Sequence, residues 1–191
     1  PGAPSEAAQT DAVRLTDIPV EQVRDGARTE ELLHRWRNGE PVSVLTLPDL
    51  DGIAVTHRTA DGVATAEWLF SRYDGDWNAL LRALFAADIR KVSHNVKDLM
   101  HLLLANHAPA EGFVFDTALA AYLLDATAGS YELERLSVSY LNVELPKPTY
   151  LEPDAFSMLG EVSDAEASFA QHTAAVDALF QLLPEKLREK N

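Results

Sequence analysis

Apolar and polar positions alternate between two periods along this chain, and the switch between them sets out its elements. A short segment at 89–92, apolar at Ile89 and Val92, ends at a polar corner, Ser93-His94-Asn95. Val96, Leu99, Met100 and Leu103 then fall at i, i+3, i+4 and i+7, which predicts a helix with one buried stripe. Phe113, Val114 and Phe115 predict another short strand, and Asp116-Thr117 caps a helix over 118–124. Strand, helix, strand, helix is the rhythm of an α/β domain with a partly parallel sheet.

Upstream the pattern is antiparallel. Residues 41–47, 53–56 and 63–70 read as three strands, separated by a Pro48-Asp49 break and an Asp61-Gly62 turn. A short edge strand is expected within 13–19. Residues 21–37 read as a helix through Leu32, Leu33 and Trp36, ended by Asn38-Gly39. Trp77, Leu80, Leu81 and Leu84 give a helix over 77–85. Downstream, helices are expected over 131–140 (capped by Ser130), 154–158 and 163–183, with Pro184 interrupting the last before a charged tail. This order matches the ribonuclease-H-like fold: α/β, with a mixed five-stranded sheet flanked by helices.

Composition narrows the chemistry. With 191 residues, 47% of them hydrophobic, the chain fills one sizeable core. Residues 1–12, rich in Pro, Ala, Ser and Glu, read as a disordered linker, and 13–191 as the domain. Sixteen basic against thirty acidic residues leave a net charge of −14, a poor basis for autonomous nucleic-acid binding, which rests on Lys and Arg neutralising phosphates. The absence of cysteine excludes disulfides, thiolate zinc sites and cysteine nucleophiles. No apolar run is long enough to cross a bilayer, so no membrane partner and a cytoplasmic location are expected. A start without Met or signal regions suggests a chain excised from a longer protein.

Asn95-Val96-Lys97-Asp98-Leu99, Phe115-Asp116-Thr117, the 120–125 segment AAYLLD and the 128–133 segment AGSYEL together resemble the 3'–5' exonuclease domain of bacterial A-family DNA polymerase I. The resemblance spans roughly 13–183. It implies a neighbouring C-terminal polymerase domain as partner, and DNA contacted through the parent protein. In active members, two divalent cations held by four carboxylates activate a water and stabilise the leaving oxygen. The matching positions here are Thr46, Pro48, Leu99 and Thr173, none acidic. Phe169 stands where the family usually has Tyr. The resemblance therefore implies a degenerate domain with no catalytic residues and no metal cofactor. An active exonuclease would need Mg²⁺ on relocated carboxylates, namely Asp49, Asp51, Asp98 and Asp177. A free-standing binding or adaptor domain is the third possibility.

Other groups read as structural. Ser93 or Asn95 is expected to cap the helix that follows. Asp116 is expected to act as an N-cap, and His94, His101 and His107 to face solvent. No glycine-rich phosphate loop is present.

Overall fold

The computed structural model describes residues 15, 18–60, 62, 64–153, 155 and 164–190. Six strands form one sheet: β1 (Val20–Asp25), β2 (Val42–Thr46), β3 (Gly52–Arg58), β4 (Ala64–Asp74), β5 (Lys91–Ser93) and β6 (Phe113–Asp116), in the order β1-β4-β3-β2-β5-β6. The pairs β2–β3 and β3–β4 are antiparallel, whereas β1–β4, β2–β5 and β5–β6 are parallel. This is the expected ribonuclease-H-like sheet with one strand more than the five read from the sequence.

The extra strand corrects two expectations. The stretch 20–25, VEQVRD, is strand rather than the start of a helix, and the edge strand begins at Val20, after the 13–19 window. Its helix-forming Glu, Gln and Arg are accommodated because β1 is an edge strand, where only Val23 is fully buried. Asp25 then accepts a bond from the Arg28 amide and starts helix α1 (Gly26–Arg37).

Helices cover both faces. Leu32, Leu33 and Trp36 of α1, Leu80, Leu81 and Leu84 of α2 (Trp77–Leu84), and Leu99 and Leu103 of α3 (Val96–Ala105) pack with Val42, Val44, Ile53 and Val55. On the other face lie α4 (Thr117–Leu124), α5 (Leu133–Leu136) and the long α6 (Asp164–Lys190). There Ala120, Ala121, Leu136, Val176 and Leu179 enclose Val92. A small cluster of Leu47, Ala54, Phe169 and Ala170 joins α6 to the β2 end. The alternation of Val42 and Val44 with Ser43 and Leu45 along β2 is thus two-sided burial of a central strand.

The helical stretch at 131–140 is shorter than its pattern suggests. It covers α5 and a π turn, Ser137–Leu141, where the Ser137 hydroxyl donates to the Leu133 carbonyl. Ser130 is not its N-cap; Glu132 holds that place. Pro184 does not end α6, which continues to Lys190. Leu187 packs on the second core and Lys190 Nζ donates to the Leu123 and Leu124 carbonyls, offsetting the missing amide. The expected linker at 1–12 and most of the expected helix at 154–158 lie outside the described residues.

Candidate functional site

The site implied by the resemblance begins where β2 ends. The chain reverses through Leu47 to Gly52, with Leu50 in the left-handed region at φ 54°. The Leu47 amide donates to the Gly52 carbonyl at 2.9 Å, and Trp77 Nε1 donates to the Leu50 carbonyl at 3.0 Å. Leu47 and Leu50 turn inward and are buried. Thr46 is half-buried, and Pro48, Asp49 and Asp51 are exposed on the turn.

Leu99 comes from the first turn of α3 and is 7% exposed, within the core that holds Val42 and Val44. Asp98, one step round the helix, is exposed. Thr173 comes from α6 and is fully buried. Its Oγ1 donates to the Phe169 carbonyl at 2.9 Å, so the hydroxyl is spent within its own helix. The Phe169 ring is stacked by Tyr150 at 4.7 Å, and Tyr150 also meets His172 edge-on at 5.1 Å. Burial pushes the Tyr150 phenol well above its usual range. His172 Nδ1 bonds the Ser168 carbonyl at 2.6 Å, and Nε2 faces Glu134 at 3.2 Å.

Asp177, two turns beyond Phe169, is 2% exposed and pairs with Arg58 Nη2 at 2.7 Å. Burial pushes its carboxyl above the usual range, against the opposing pull of Arg58. Arg58 closes β3 at the end opposite Gly52, six residues or about 20 Å away along the strand. Asp177 is therefore at one end of β3 and Asp51 just beyond the other, while Asp98 belongs to a helix on the opposite face of the sheet. Two-metal chemistry needs ions about 4 Å apart sharing their carboxylates. The structure does not bring Asp49, Asp51, Asp98 and Asp177 together. Among the described residues, no group of three or more His, Cys, Asp or Glu side chains is placed to hold a metal ion. At the family positions, the buried Leu99 and the committed Thr173 do not fit a cation that demands oxygen ligands.

The corner between β5 and α3 is organised by Asp116. Its Oδ1 accepts from the amides of Asn95, Ala118 and Leu119, and its Oδ2 from that of Val96. The expected N-cap role is correct and extends to a second helix: Asp116 serves both α3 and α4. It displaces the expected caps. Asn95 sits at the α3 start with φ 57° and makes no side-chain cap bond, and Ser93 Oγ donates to the Val44 carbonyl at 2.7 Å. His101 and His107 are exposed as expected, but His94 is half-buried. Its Nδ1 meets Thr117 Oγ1 at 2.8 Å, and burial holds its pKa below the usual value.

Arg58, Tyr150, Lys91 and His172 were not singled out from the sequence. Arg58 lies two residues past the strand read at 53–56, which signals a reachable cation but no partner. Tyr150 follows two prolines, Pro146 and Pro148, and has no periodicity to place it.

No known protein-family profile matches the chain. It is 35% identical over 66 residues to DNA polymerase I of Caldicellulosiruptor bescii, covering 35% of this chain and 8% of that protein. It is 30% identical over 161 residues to DNA polymerase I of Mycobacterium leprae, covering 78% of this chain and 17% of that protein. The chain thus spans under a fifth of the length of either relative. Among solved structures, Pol1 of M. smegmatis, described as its POL domain with DNA primer-template and dNTP, superposes with a TM-score of 0.69 at 23% identity, over 88% of this chain and 28% of that one. The Nibbler EXO domain of Aedes aegypti gives 0.67 at 12% identity, over 90% of both chains. Escherichia coli RNase D, an exoribonuclease, gives 0.59 at 17% identity, over 91% and 49%. The chain is thus similar in sequence to part of two DNA polymerases I and shares its fold with exonuclease domains.

Proposed function

We propose that this is a non-catalytic structural domain of a DNA polymerase I, supporting the polymerase domain of the same protein. The observation that carries the reading is the chemistry at the four family ligand positions. Thr46 and Pro48 at the β2 end, Leu99 in the core and Thr173 within α6 offer no carboxylate. An apolar side chain cannot replace a carboxylate on Mg²⁺, and a hydroxyl bonded to its own helix is a poor neutral substitute. Tyr150 on Phe169 further fills the place where α6 meets the β2 end.

In this reading the domain needs no metal, and DNA is engaged by the parent polymerase, in keeping with the acidic composition here. Residues 1–12 serve as a linker, and the protein acts in the cytoplasm. No helix among the described residues is long and apolar enough to cross a membrane.

A crystal soaked with Mn²⁺ and a short single-stranded oligonucleotide tests the reading. The expected result is no metal between the β2 end, α3 and α6, and no strand end seated there. Two bound cations at that place would sink it and favour the relocated-carboxylate exonuclease.

A further inference from the structure

Strand β6 is the last in its half of the sheet, and among the described residues nothing pairs with its outer edge. The register slips there: Lys91 faces Phe113, but Val92 faces Phe115. Val114 is therefore the extra residue of a β-bulge. Phe113 packs against the first core and Phe115 against the second, while Val114 is left 48% exposed.

Helices α3 and α4 stand on either side of this edge. Met100 and Leu104 of α3 and Leu119 of α4 line an open groove over Phe113 and Phe115. Leu104, Leu119 and Leu123 are each more than half exposed, and Leu119 and Leu123 lie one turn apart on the same side of α4. The groove measures about 450 Å³, within the range of ligand pockets. Yet its polar groups do not converge on a ligand. Asp116 is spent on four amides, and Lys97 and His101 are exposed. Its chemistry suits an apolar protein surface.

A bulged edge resists strand addition, so the occupant that fits is a helix with an apolar stripe lying between α3 and α4. Two observations indicate its origin. The last turn of α6 is fastened beside the groove, with Lys190 Nζ on the carbonyls of Leu123 and Leu124. The M. leprae relative also has far more chain than the matched 17%. We propose that the groove between Leu104 and Leu119 docks a helix from the polymerase portion of the same protein. This rests on the proposed function for the presence of that portion.

The test places a photo-crosslinking benzoylphenylalanine at Leu104, Leu119 or, as a control outside the groove, Leu151, in the full-length protein that carries this domain. Irradiation followed by peptide mass spectrometry should join positions 104 and 119 to one apolar helical peptide of the polymerase portion, and position 151 to none of it. Leu119→Asp should reduce crosslinking from position 104 about tenfold, the loss expected for one central apolar anchor. Crosslinks confined to residues 1–191, crosslinks to a second copy, or capture by solvent alone would overturn the proposal. A nuclease assay on the same preparation separates the two readings. Nucleotide release would sink the non-catalytic function and leave a polymerase crosslink standing. Failed crosslinking without nucleotide release would remove the docking helix alone.

Discussion

Arg58 Nη2 meets Asp177 Oδ2 at 2.7 Å, tying the far end of β3 to α6 two turns beyond Phe169. The carboxylate is almost wholly buried, whereas the Arg58 side chain keeps 23% of its exposure. Removing the cation leaves a buried charge; removing the carboxylate leaves an arginine that still reaches water. Arg58→Ala should therefore cost about 3 kcal/mol, the low end of the range for breaking a buried pair, and Asp177→Asn should cost less. Denaturant unfolding of both variants checks the order. Equal costs, or the reverse order, would contradict this account of the pair.

The same carboxylate gives a pH signature. Burial raises its folded pKa above the ordinary 3.8, with Arg58 opposing. The folded state thus holds the proton more tightly than the unfolded chain. Its contribution is fully present below pH 3.8 and is lost as pH rises through the folded value. The stability of the natural protein relative to Asp177→Asn should decline from pH 3.8 upward. Paired urea titrations across acid pH measure it, and a difference that grows with pH would be the wrong sign.

Lys91 predicts the opposite slope. It is fully buried, with Nζ donating to the Ala86 and Ile89 carbonyls between the rings of Phe85 and Phe113. Burial lowers its pKa from 10.5 to about 8. Between these values the unfolded chain binds the proton and the folded one does not, so stability should rise with pH across this window. The rise should be on the order of 2–3 kcal/mol and disappear in Lys91→Met. Stability curves from pH 8 to 10.5 test it, and a persisting slope in the variant would assign the effect elsewhere.

Asp116 accepts four amide bonds at two helix starts, so its loss should exceed that of an ordinary cap. Asp116→Ala should cost about 1–4 kcal/mol, twice the usual single-cap penalty. Asp116→Asn keeps Oδ1 and loses the acceptor for Val96, and should fall between. Hydrogen exchange at the α3 and α4 first turns should rise together in the Ala variant. Loosening of α4 alone would show that Asp116 caps one helix only.

Much of this fold was legible because burial imposes a period. In α3, Leu99 and Leu103 are buried one turn apart, and β2 and β3, buried on both faces, read as short apolar runs bounded by turn residues. β1 was not legible: an edge strand with one buried residue, Val23, carries no period, and its charges read as helix. Pro184 misled because its helix is held from outside, by Leu187 and Lys190. At the candidate site, the identities at 46, 48, 99 and 173 were readable. The Arg58–Asp177 pair, the double cap at Asp116 and the Tyr150–Phe169 stack were not. Each joins residues far apart in the chain, and only the packed sheet brings them together.

The central claim is that the domain keeps the exonuclease scaffold without its chemistry. Its most direct measurement is nucleotide release from 3'-labelled single-stranded DNA by the purified protein with Mg²⁺ or Mn²⁺. The account predicts release no greater than in buffer with either metal. Metal-dependent release that disappears when Asp49 and Asp51 are changed to Ala would contradict it.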